Sequence, residues 1–135
     1  MSTVSTFREG EITALDTFTA ITGACGDAVN NAVSVPPKVG SIKVIRVSHA
    51  QDGSTAGVGT YAVKLTGDGL DIQQLFSVGG WSNVGTETGT ALDNPVTEIA
   101  VDIPVNQNGT ISIFGGFGGS ADAGTVSMGV ELVFQ

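Results

Sequence analysis

Residues 95–105 and 125–134 alternate with a period of two. Thr97, Ile99, Val101, Ile103 and Val105 lie on one side, with Val96, Glu98, Ala100 and Asp102 on the other. In the second stretch Val126, Met128, Val130, Leu132 and Phe134 oppose Thr125, Ser127, Gly129 and Glu131. Such alternation marks a strand with one apolar and one solvated face, the habit of antiparallel sheets. Two strands of this kind must bury their apolar faces against another layer, so the chain is constrained to an all-β sandwich or barrel.

The rest of the sequence divides into similar segments. Residues 12–21 read as a first strand, closed by Gly23 and Gly26. Asp27 is a good helix cap, so residues 27–32 predict a short helical turn, which Pro36 and Pro37 end in extended chain. Residues 41–50 are β-branched and mixed on both faces, which suits a strand buried on each side or crossing between sheets. Lys43 and Arg46 then fall on opposite faces. Residues 59–66 place Tyr61, Val63 and Leu65 inward, and after a turn at Gly67-Asp68-Gly69 a strand over 71–78 ends at Gly79-Gly80. The stretch 81–94 has no periodicity and reads as the longest loop. Asn106-Gln107-Asn108-Gly109 predicts a hairpin turn, with residues 110–114 pairing back along 95–105 and residues 115–124 a glycine-rich connection. Phe18, Phe76, Phe114 and Phe134 fall on strands and are expected in the core. Seven or eight short strands with little helix predict an antiparallel β-sandwich in one domain, 1–135, with residues 1–10 free to extend as an arm.

Charge narrows the partners. Thirteen acids against five bases give a formal net charge of −8, and Arg8, Lys38, Lys43, Arg46 and Lys64 do not cluster, so direct nucleic-acid contact is not expected. Charged residues make up only 13% of the chain, well below the usual share. A polar but weakly ionic exterior fits strands whose outer positions are Thr and Ser, and it fits a surface covered by neighbouring copies. No stretch approaches the length of a membrane helix, and no signal peptide is visible at the N-terminus.

Chemistry is hard to find. His49 is the only histidine, and on an alternating strand its neighbour Ser48 faces away, so the two make no dyad. One Cys, Cys25, and one His cannot fill a zinc site, and a pairing of Cys25 with His49 has no support in the sequence. Asp27, Asn30 and Asn31, Asp93 and Asn94, and Asn106 and Asn108 offer oxygen ligands, but none reproduces a spaced calcium loop. Residues 115–119 lack the lysine, hydroxyl and helix of a phosphate cradle. The expectation is therefore a protein that is not an enzyme, with no cofactor and no metal. Trp81 and Phe117 sit in glycine-rich segments read as loops, and each is a candidate anchor for a partner subunit or a sugar ring.

The order of elements resembles the single jelly-roll subunits of icosahedral virus and phage capsids. The resemblance rests on an extended N-terminal segment, the strand after Pro36-Pro37, the turn at Gly67-Asp68-Gly69, the alternating strand before Asn108-Gly109 and a strand that ends the chain at Gln135. It implies a jelly-roll sandwich, a self-assembling capsid or virion-surface subunit forming homo-oligomers such as trimers or pentamers, other virion proteins as partners, and residence in the virion. Capsid proteins of this kind often carry a basic arm for the genome. Here residues 1–16 hold Arg8 against Glu9, Glu11 and Asp16, so an outer shell over another layer or a membrane is the expected variant. A carbohydrate-binding or adhesive sandwich at the cell surface or outside the cell is the alternative expectation.

Overall fold

The computed structural model describes residues 3–13, 16–24, 27–28, 30–52, 57–83, 96–119 and 125–135. Among them every regular element is a strand: β1 (Val4–Ile12), β2 (Thr19–Ala20), β3 (Gly23–Ala24), β4 (Asp27–Ala28), β5 (Ala32–Ser34), β6 (Ser41–Asp52), β7 (Gly57–Thr66), β8 (Gln74–Asn83), β9 (Val96–Pro104), β10 (Thr110–Gly119) and β11 (Thr125–Phe134). No helix among the described residues is long and apolar enough to cross a membrane. One antiparallel sheet runs β4-β3-β1-β11-β6-β9, the other β2-β10-β7-β8, with β5 also paired to β10.

Short β2 meets Phe114 and Gly115, and short β5 meets Thr110 to Ser112, on the edge of β10 that faces away from β7. Together they occupy one strand position. Counted so, and leaving aside the two-residue β3 and β4 beyond β1, eight strands run first, eighth, third, sixth in one sheet and second, seventh, fourth, fifth in the other. That connectivity is the jelly roll, two Greek keys folded into a sandwich.

The alternation read from the sequence sets the core. Val126, Met128, Val130, Leu132 and Phe134 all point inward at 2% exposure or less, and Tyr61, Val63 and Leu65 face them from β7 at 0%. Ile12, Ile42, Ile45 and Val47 complete the first layer, while Val78, Ile111, Ile113 and Phe117 complete the second. Each such side chain contributes about 1.5–3 kcal/mol by leaving water. Edge strand β9 keeps the expected phase, with Ile99 and Val101 half-buried and Ile103 buried, while Glu98, Ala100 and Asp102 face solvent.

Several expectations are corrected. Residues 4–10 form no free arm: β1 pairs with β11 along its whole length, from Val4 opposite Phe134 to Ile12 opposite Val126. Arg8, the one cation of that segment, turns to backbone carbonyls, its Nε donating to Asn30 at 3.0 Å and an Nη to Ala32 at 3.1 Å. The expected helical turn is replaced by β4, which pairs locally with β3, and by β5, whose pairing with β10 gives those residues long-range partners that an isolated helical turn lacks.

Strand β6 neither crosses between sheets nor is buried on both faces. It lies between β11 and β9, and its mixed pattern comes from register shifts at Ile42–Val44 on one side and Val133–Phe134 on the other. A bulge reverses the phase, so Ile42 and Ile45, three apart, both face inward. Lys43 and Arg46 consequently share the outer face, contrary to the simple alternation.

Glycines mislead in the same way. Strand β8 continues through Gly79-Gly80 to Asn83, because Gly79, with φ +121°, forms a bulge where the register to β7 shifts between Thr60 and Ala62. Asn106–Gly109 is no hairpin. Strand β9 pairs with β6 in one sheet and β10 with β7 in the other, so this turn carries the chain across the sandwich. Asn108 does adopt a left-handed φ of 66°. Gly109 is required by proximity: a Cβ there would lie 2.5 Å from Gly69 Cα and 2.7 Å from Gly69 N.

Candidate functional site

His49 lies inside the sandwich, 2% exposed, on β6. Its ring stacks on Tyr61 of β7 with centroids 4.3 Å apart and planes at 30°. Thr97 Oγ1 donates its proton to the Val78 carbonyl at 2.9 Å, so at 3.4 Å it can only accept from His49, which places a proton on Nε2. The imidazole thereby joins strands of both sheets and is shut away from any substrate in solvent. Cys25, Asp93 and Asn94 lie outside the described residues.

The amides considered as metal ligands hold the fold instead. Asn30 Oδ1 accepts from the Ala32 amide at 3.1 Å, and Asn31 Nδ2 donates to the Ile113 carbonyl at 3.1 Å. Asn106 Nδ2 donates to Asp71 Oδ1 at 2.9 Å and to the Asp68 carbonyl at 3.2 Å, while Asp68 Oδ1 accepts from the Thr110 amide at 2.8 Å. Among the described residues, no three His, Cys, Asp or Glu side chains gather at one point. Among the described residues, the broad surfaces left to meet a partner are the two outer faces of the sandwich.

On the outer face of the β1-β11-β6-β9 layer, an ion-pair ladder crosses the strands. Arg46 Nη1 donates to Glu131 at 2.8 Å and its Nε to Glu98 at 2.7 Å, and Lys43 Nζ donates to Asp102 at 2.8 Å. Hydrogen bonding to Glu131, then to Glu98, holds the Arg46 guanidinium above its usual range, and the Lys43 hydrogen bond holds the Asp102 carboxyl below the usual carboxylate range. All of these groups are solvated, so the ladder sets charge pattern more than stability. Beside it a depression of about 210 Å³ is lined by Phe7, Arg46, Ser48, Val96, Gly129 and Glu131. The Phe7 ring covers the bare Gly129 backbone, where a Cβ would sit 2.8 Å from Phe7 Cζ. Among the residues whose side chains are described, Glu9 and Glu11 on β1 bring this face to five acids against Lys43 and Arg46.

The outer face of the other layer is different. Its outward residues are Ser112, Phe114, Gly116 and Gly118 on β10, Thr60, Ala62, Lys64 and Thr66 on β7, and Leu75 and Ser77 on β8. Phe18 and Phe114, expected in the core, are here instead. Phe18 is 38% exposed and Phe114 half-buried, and Lys64 Nζ sits 4.9 Å from one ring centroid and 4.7 Å from the other. An ammonium between two rings is held by their quadrupoles, which accounts for two aromatics on a solvent-facing surface. Residues 16–18 cross over the bare positions: a Cβ on Gly116 would meet Phe18 Cδ1 at 3.3 Å, and one on Gly118 would meet Asp16 Oδ1 at 2.6 Å. The result is a trough of about 260 Å³ with Asp16, Thr17, Phe18, Thr60 and Ala62 around a glycine floor. Its only charged residues are Lys64 and Asp16, one of each sign, among the described residues of this face.

Neither aromatic chosen as a contact residue lies in a loop. Phe117 is on β10 and 3% exposed with its side chain in the core, so it borders the trough only through its place between Gly116 and Gly118. Trp81 is on β8 with its backbone opposite Gly59, and its side chain lies outside the described residues. Sequence reasoning missed Phe18, Phe114 and Lys64. The spacing of Phe114 from Ile111 and Ile113, an odd step on a period of two, was the available signal.

No family model and no curated protein matches the sequence. Among solved structures, one chain of infectious bursal disease virus, Gx strain, aligns with a TM-score of 0.52 at 13% identity, over 98% of this chain and 32% of the viral one. That likeness shows the fold alone, and the chain spans about a third of its viral neighbour's length, 32%. A pilus protein of Bacillus endospore appendages aligns at 0.39 with 10% identity, over 99% of this chain and 88% of the other. The module TmCBM61, solved with β-1,4-galactotriose, aligns at 0.38 with 19% identity, over 77% and 59%. Those two likenesses are too remote to argue from.

Proposed function

We propose that this chain is a self-assembling structural subunit of a viral capsid or virion surface, built into homo-oligomeric capsomers and carrying out no chemical reaction. The observation that carries the reading is the jelly-roll connectivity of the described strands, with one outer face, that of β2-β10-β7-β8, made largely of short uncharged side chains. Likeness in fold to a virus protein supports it. The acidic balance, −8, supports an outer position away from the genome. Light scattering on the eluting protein, with negative-stain images of the same fraction, tests this: rings or shells of defined mass are expected. A monomer at every concentration, salt and pH overturns it.

A second reading, a carbohydrate-binding module working outside the cell, is favoured by one observation. The trough combines an aromatic ring, a carboxylate and hydroxyls over a bare floor, groups suited to the apolar face and hydroxyls of a sugar. A glycan array compared between the native chain and its Phe18→Ala and Trp81→Ala variants tests it. Binding lost in either variant supports the reading, and an array without hits removes it.

A further inference from the structure

The chain repels itself, with a net charge of −8, and any contact between copies must find a surface where that repulsion is absent. The two broad faces differ in this respect. Among the described residues, five acids against two bases line the β1-β11-β6-β9 face, so two copies meeting there bring like charge together. On the opposite face Lys64 and Asp16 cancel, and the other described residues are Thr, Ser, Ala, Gly, Leu75 at 58% exposure and the two phenyl rings. Resting on the assembly reading above, we propose that the outer face of the β2-β10-β7-β8 sheet is the surface through which this chain binds a second copy of itself, across a two-fold axis.

Position, as well as sum, supports the symmetry. Lys64 sits opposite Phe114, and Asp16 lies over Gly118, four residues further along β10. Between them is the Ala62–Gly116 pair, the least bulky point of the face. In an isologous contact whatever one copy offers is met by its counterpart on the other. An axis lying in the plane of contact and crossing the strands at Ala62–Gly116 brings each Lys64 toward the partner's Asp16, twice over. Phe18, which overlies Gly116, comes to the centre, where exposed aromatic surface gains most from losing water.

Charge exchange tests the pairing. Sedimentation equilibrium would be run on the native chain, on Lys64→Glu, on Asp16→Lys, on the double exchange, and on Val96→Glu, a change on the other face at a residue 52% exposed. Circular dichroism and thermal unfolding confirm that each variant is folded. Each single exchange should weaken association roughly tenfold or more by setting like charges against each other, and the double exchange should recover most of the loss. Val96→Glu should leave association unchanged. An oligomer insensitive to both single exchanges overturns this assignment while leaving the assembly reading intact. A native chain that never associates removes the assembly reading itself, and the proposed contact with it.

Discussion

Replacing Gly109 by alanine probes the crossing turn at its tightest point. A Cβ at this position falls 2.5 Å from Gly69 Cα, 2.7 Å from Gly69 N and 2.9 Å from Asp68 C, where carbon contacts ordinarily begin near 3.5 Å. All three atoms are backbone, so no rotamer change relieves the overlap. The two turns must part by about 1 Å. They are held together by Gly69 N to Thr110 O at 2.8 Å, Asn106 N to Gly69 O at 2.9 Å and Thr110 N to Asp68 Oδ1 at 2.8 Å. Weakening two such bonds at about 1 kcal/mol each, with the residual overpacking, gives a loss of about 3 kcal/mol. Gly40, with no atom within 4 Å of its added Cβ and no left-handed φ, is the control, and alanine there should be neutral or stabilise by about 0.5 kcal/mol. Urea unfolding at one fixed protein concentration measures both, and with a slope of about 2 kcal/mol/M the Gly109→Ala midpoint should fall by about 1.5 M. A Gly109→Ala midpoint matching that of Gly40→Ala would refute the claim that the turns interlock.

Leu132→Ala, at 0% exposure on the inward face of β11, should cost about 3 kcal/mol in the same assay, and a loss below about 1 kcal/mol would contradict the layered core. Phe7→Ala uncovers the Gly129 backbone and should cost about 1 kcal/mol without altering association, whereas a change in oligomer mass would move the contact to that face. The Asp102 carboxyl has a lowered folded pKa because of Lys43, so its contribution is present above the unfolded pKa and disappears as pH falls through the folded one. The small difference in thermal midpoint between the native chain and Asp102→Asn should therefore be largest near neutrality and close on acidification, and salt should narrow it. A gap that widens in acid would contradict the pairing.

Much of the sandwich was legible because alternation is a local record of which side chains leave water. Val126 to Phe134, Tyr61 to Leu65 and Thr97 to Ile103 all take the faces their sequence assigns. What escaped reading is non-local. Asn108-Gly109 has the composition of a hairpin turn, yet whether the next strand returns to its own sheet depends on what β7 and β6 offer as partners. Glycine is ambiguous for a related reason: Gly79 is a bulge, Gly109 admits a neighbouring backbone, and Gly115 makes room for Met128, Ile21 and Ile12, but all three look like breaks in a pattern. The bulge at Lys43 reverses a phase that simple counting carries through. The candidate faces were harder still. Hydrophobicity alone assigns Phe18 and Phe114 to the core, and the placement of Lys64 between their rings explains why they face water.

The mass of the native protein in solution bears most directly on the account. Sedimentation equilibrium at neutral pH, over a hundredfold range of concentration, should show a closed species at a whole multiple of 13.6 kDa that persists on dilution. A single species of 13.6 kDa across that range would contradict it.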